Sequence, residues 1–122
     1  MKDATLEIDG HTISVLEGPY LNAGIPTSDA SDFASVLVGM LDQMRVFAAK
    51  QYLAIYNDTW REEDGPILSA DEFCSRLIRP SIVLYDEIGA AAIYFEDCDM
   101  FAGHSIEVSI DSGEIVRVSL VG

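Results

Sequence analysis

Phe33, Val36, Leu37, Met40, Leu41, Met44, Phe47, Ala48, Leu53 and Ile55 recur at spacings of three and four, while the segments before and after them alternate in twos. This change of period constrains the fold more than any other feature. A helical stripe cannot lie flat in a sheet, and a strand alternation cannot line one side of a helix. The spacing predicts one long amphipathic helix reaching about residue 56. Ser28 or Ser31 is placed to cap it, and Asp29 and Asp32 suit the positive end of its dipole. Gly39, inside the pattern, costs about 1 kcal/mol relative to alanine and is expected to mark a close approach to the sheet.

Residues 4–8 and 11–16 alternate apolar and polar side chains around Asp9-Gly10. Both turn residues tolerate the positive φ of a type I′ turn, so an N-terminal hairpin is expected. Gly18-Pro19, Gly24 and Pro26 mark residues 17–27 as a loop or short edge segment. A polar stretch follows the long helix at residues 57–66. Ser69 and Glu72 then have capping-box spacing and start a short second helix, with Phe73, Leu77 and Ile78 facing one way and an end before Pro80. Residues 81–85, 90–95, 105–110 and 115–121 are rich in Ile, Val, Tyr and Phe and are joined by short links, which favours an antiparallel meander. The expected architecture is a single α+β domain over residues 1–122. It comprises an N-terminal hairpin, one long and one short helix, and a four-stranded antiparallel meander with the helices on one sheet face.

At 49 % hydrophobic, the chain has enough apolar side chains for one core, so its high charge decorates a folded body. The start of the chain has no basic, unbroken apolar leader, and no stretch reaches the length of a membrane span. The two cysteines, Cys74 and Cys98, form no CxxC pair, and reduced thiols in the cytoplasm are expected, with a single bridge between them left open.

Chemistry is concentrated in Phe95-Glu96-Asp97-Cys98-Asp99-Met100-Phe101-Ala102-Gly103-His104. Asp97, Asp99 and His104 offer oxygen and nitrogen ligands, but their spacing matches neither an EF-hand nor a zinc knuckle, and no metal or other cofactor is expected. As a structured loop the segment would use Asp side chains to bond turn backbone, Phe101 to plug the core, and Gly103 in a conformation closed to other residues. A Cys98–His104 nucleophile is disfavoured because surrounding acids raise a thiol pKa, so no catalytic residue is assigned. Cys74 reads as a small buried hydrophobe and His11 as a solvent-side residue. No phosphate loop, GxSxG elbow or HExxH motif is present.

Twenty-one acids against seven bases leave a net charge of −14. The bases Lys2, Arg45, Lys50, Arg61, Arg76, Arg79 and Arg117 are scattered singly, which excludes nucleic acid and anionic membranes as partners. The acids gather in two segments, one with Asp58, Glu62, Glu63, Asp64, Asp71 and Glu72, the other with Asp86, Glu87, Glu96, Asp97 and Asp99. A solvated acidic surface needs no partner. As a docking surface, however, such segments steer association with a basic protein. Asp58, Trp60, Glu62, Glu63, Asp64, Glu96, Asp97 and Asp99 are the candidate contact residues, with Trp60 as the aromatic anchor.

Asn57-Asp58-Thr59-Trp60 and Phe101-Ala102-Gly103-His104-Ser105-Ile106 resemble the Asn-x-x-Trp and Phe-x-Gly-His-x-Ile segments of a group of small bacterial domains of unknown function. The resemblance covers about residues 30–110 and leaves out the hairpin. Similar small acidic α+β proteins serve as immunity proteins in contact-dependent inhibition and related toxin systems. This resemblance implies an inhibitor that occludes a basic toxin domain, for instance a nuclease. The alternatives are a small enzyme or metal-binding protein built on Asp97, Asp99 and His104, or a homo-oligomeric accessory protein such as a homodimer.

Overall fold

A computed structural model describes residues 3–122; Lys2 lies outside the described residues. The hairpin forms as strands β1 (Ala4–Ile8) and β2 (His11–Val15), with Ile8 opposite His11. Asp9 and Gly10 take the positive φ values of 49° and 82° that the two-residue turn requires. Residues 17–27 contain a minimal ladder of β3 (Leu21–Asn22) and β4 (Ile25–Pro26).

The helical stripe belongs to two helices rather than one: α1 (Ser28–Gly39) and α2 (Leu41–Ile55). Met40 separates them at φ −97°, ψ −1°, bonding back to Leu37 while its carbonyl accepts from Met44 N–H. Apolar spacing carries across this break because both helices turn apolar faces to the same core, so periodicity does not reveal it. The cap of α1 is Thr27, whose Oγ1 accepts the Ala30 N–H at 3.1 Å, not Ser28 or Ser31. Gly39 faces open space and marks no close approach. Past α2 the chain continues as a π-helical turn, Tyr56–Trp60, where a polar loop was expected.

The capping box of α3 (Ala70–Ser75) has both bonds in place: Ser69 N–H donates to Glu72, and Glu72 N–H donates to Ser69 Oγ. Its helix ends early, so Leu77 and Ile78 are not on it. Ile78 already opens β5 (Ile78–Leu84). Pro80 therefore lies within a strand, at a register shift between Ile78 and Ser81 where Arg79 takes φ 48°. Such irregularities are where a sheet tolerates a residue with no N–H.

β6 (Ala91–Glu96), β7 (Ser105–Asp111) and β8 (Glu114–Val121) follow β5, each antiparallel to the strand before it. The sheet is nevertheless not the expected four-stranded meander. It has six strands in the order β1-β2-β5-β6-β7-β8 and is mixed, because β2 pairs parallel with β5. A parallel pair needs a long crossover, and α1, α2 and α3 provide it over one face. Buried Ala30, Ala34, Leu37, Met44 and Ala48 from the helices join Ile13, Val15, Ile82, Leu84, Ile93, Phe95, Ile106 and Val108 from the strands in one core. On the opposite face Tyr85 and Tyr94 bring their hydroxyls to 3.2 Å. The Tyr94 pKa rises because of that bond, then burial, then Glu107.

Candidate functional site

The segment 97–104 joins β6 to β7, and its shape depends on one buried carboxylate. Asp97, 4 % exposed, accepts the Asp99 N–H at 2.9 Å on one oxygen and the Phe101 N–H at 2.8 Å on the other. These bonds hold a chain in which Cys98, Asp99 and Ala102 all have φ between 48° and 62° and Gly103 has φ 82°. Non-glycine residues in that region cost of order 1 kcal/mol each and persist only where surroundings enforce them.

Phe101 supplies the other constraint. It is fully buried, and Tyr52, Tyr56, Trp60 and Phe73 all meet it edge-on at centroid distances of 5.9, 5.7, 5.5 and 6.2 Å. α2, the π turn and α3 thus close around one ring. Trp60 also stands 6.0 Å from the His104 ring, and His104 Nδ1 bonds the Phe101 carbonyl. The Asn57-x-x-Trp60 and Phe101-x-Gly-His104 segments are therefore two halves of one packing unit.

The adjoining polar segment is stapled from within. The Asn57 side chain donates to the Leu68 carbonyl and accepts the Leu68 N–H, both at 3.0 Å. Arg61 gives Nε to the Asn57 carbonyl at 3.1 Å and Nη1 to the Gly65 carbonyl at 2.7 Å, with longer bonds to the Glu62 and Glu63 carbonyls. The guanidinium is engaged by backbone and makes no ion pair. Among the described residues the ion pairs are Arg45–Asp42 and Arg79–Glu96. Asp58, Glu62, Glu63, Asp64 and Asp99 are all exposed and form no ion pair among the described residues, and Trp60 is 38 % exposed beside them.

Of the candidate contact residues, Asp58, Trp60, Glu62, Glu63, Asp64, Glu96 and Asp99 are exposed, and those on the two loops are linked through Trp60 and His104. Asp97 faces inward, with both oxygens bonded to backbone. The second acidic segment is not one surface: β6 separates Asp86 and Glu87 from Glu96 and Asp99 by about 20 Å. Asp86 sits at the far end, where Gly18 packs against its backbone and Tyr20 Oη accepts the Gly89 N–H at 2.9 Å.

A cleft of about 320 Å³ flanks the 97–104 loop, lined in part by Arg79, Glu96, Cys98, Asp99 and His104. Among the described residues no group of three or more His, Cys, Asp or Glu side chains is placed to hold a metal ion. His104 Nδ1 bonds the Phe101 backbone carbonyl beside this cleft. Both cysteines are free; Cys98 is exposed, and Cys74 is only half-buried, its pKa raised by burial and then by Asp71. No described helix is long and apolar enough to cross a membrane.

The structural roles of Arg61, Tyr52 and Tyr56 have no local signature, because each acts on a partner brought near by the fold. No curated protein and no solved structure matches the chain. Residues 20–119 match a family model described as an uncharacterized protein conserved in bacteria, DUF2262, and this range includes both the Asn57–Trp60 and Phe101–Ile106 segments but not the hairpin. The chain belongs to that bacterial family.

Proposed function

We propose that the chain works by binding a basic protein, and that this protein is a toxin domain which it neutralises, as an immunity protein does, by covering the active site. The observation that carries this reading is the state of Arg61. The only base in residues 58–72 is bonded to backbone carbonyls, so Asp58, Glu62, Glu63 and Asp64 keep their charge for an external cation. Asn57 and Arg61 also hold the loop in shape before any partner arrives, which lowers the ordering cost of binding. Trp60 offers a half-exposed aromatic surface whose other side is fixed on Phe101. Asp99 extends the array from the next loop. Where the toxin is a nuclease, these carboxylates stand in its cleft where phosphates would lie. The binding reading places the protein in the cytoplasm with its target.

The test uses the purified basic product of the gene adjoining this one. Reversing Glu62, Glu63 and Asp64 together to lysine should weaken the complex on the order of 100-fold and abolish protection of cells from that product. Unchanged affinity in this variant overturns the proposed surface.

A further inference from the structure

α2 and α3 leave a groove of about 460 Å³ between them. Its room comes from small side chains, Ala49 and Ala54 on α2 and Ala70 on α3, with Val46 and Leu53 forming an apolar wall. Lys50 lines one side and Asp71 the other. Both are exposed, and neither forms an ion pair among the described residues. The surface around the groove is apolar as well: Val46 is 49 % and Phe47 41 % exposed.

We propose that this groove seats a second copy of the chain, forming a twofold dimer in which Lys50 pairs with the partner's Asp71 and Asp71 with the partner's Lys50. Charge selects this occupant. Copies with a net charge of −14 repel each other, so a contact between them needs local cations to offset that charge. Between Leu41 and Ile55, α2 carries one acid, Asp42, against Arg45 and Lys50, whereas α1 and α3 carry only acids. The opposing signs of α2 and α3 are self-complementary under a twofold axis, because each copy then presents both halves of the same pair. Phe47, three residues before Lys50 and on the same side of α2, is the projecting ring that enters the partner's groove. Neither Trp60 nor any residue of the 58–64 loop lines the groove, so the dimer does not depend on the proposed toxin.

Sedimentation of the full chain tests the dimer. The wild-type protein should sediment at twice the 13.3 kDa chain mass and remain dimeric in high salt, because its apolar contacts survive screening. Lys50→Asp alone and Asp71→Lys alone should each be monomeric, since each places like charges at both contacts. An equimolar mixture of these two variants should dimerise again, because every contact then pairs opposite charges. This rescue excludes misfolding as the cause of the monomers. A wild-type chain that stays monomeric up to its solubility limit overturns the proposal, as does a mixture that stays monomeric while the wild type dimerises. The adjoining-gene complex, read separately, should be lost only in the acidic-loop reversal.

Discussion

The indole of Trp60 stands edge-on to the imidazole of His104, with 6.0 Å between ring centroids and 69° between planes. Through this contact and the shared packing on Phe101, two loops far apart in sequence present their acids from one end of the molecule. Asp97, Phe101, Asn57 and Arg61 fix the loops, and other residues carry the free charge.

Phe101 should therefore be the most costly side chain in this region to remove. Phe101→Ala leaves a cavity facing four aromatic rings and should cost about 3–5 kcal/mol, lowering Tm by on the order of 10 °C or more. Thermal denaturation followed by circular dichroism measures it. A loss within the range of surface substitutions would show that the ring is not the anchor.

Asp97 and Asp99, two residues apart, should behave oppositely. Asp97→Ala orphans the Asp99 and Phe101 N–H groups and should cost about 1–3 kcal/mol for each bond lost. Asp99→Asn removes an exposed charge, keeps a side chain suited to φ 62°, and should leave the urea midpoint nearly unchanged. Equal effects would contradict the buried clamp.

Gly18 and Gly39 form a second contrasting pair. A Cβ on Gly18 would lie 2.7 Å from the Asp86 Cα, so Gly18→Ala must displace backbone and should cost about 1–3 kcal/mol. A Cβ on Gly39 meets nothing within 4 Å, so Gly39→Ala should stabilise by about 0.4–1 kcal/mol. Chemical denaturation of both variants beside the wild type decides the signs.

The capping box has a pH signature. The pKa of Glu72 is lowered first by the Ser69 backbone N–H, then by the Ser69 side chain. A carboxylate with a lower pKa folded than unfolded stabilises fully above its unfolded pKa and loses that contribution as pH falls through the folded value. Glu72→Gln keeps an acceptor for the Ser69 N–H but does not titrate. The stability of wild type relative to Glu72→Gln should therefore decline as pH falls below about 4.3. A difference that is flat across that range would contradict the bond.

Local chemistry made several of these features legible. Asp9-Gly10 requires a tight turn, Ser69 and Glu72 satisfy each other, and an Asp-rich loop ending in Phe-x-Gly-His predicts its own backbone bonds. The missed features arise from contacts between distant residues. Nothing in the alternation of β2 says that it will lie parallel to β5, because the pairing depends on the crossover between them. The break at Met40 is hidden because Phe33 and Met44 face one core from two helices. Pro80 signals a helix end in isolation, yet the irregularity at Arg79 admits it to a strand. The 86–99 acids look like one cluster until β6 separates them, and Arg61 looks like a counter-ion until the loop offers it carbonyls.

In the proposed complex a basic protein docks over Trp60 and the free carboxylates beside it. Trp60 is the only tryptophan, so fluorine NMR of the fluorotryptophan-labelled chain gives one resonance placed in the claimed interface. Titration with the basic product of the adjoining gene should shift or broaden that resonance, and the effect should vanish when Glu62, Glu63 and Asp64 are lysine. A resonance that stays unmoved while sedimentation shows the complex forming would contradict the account.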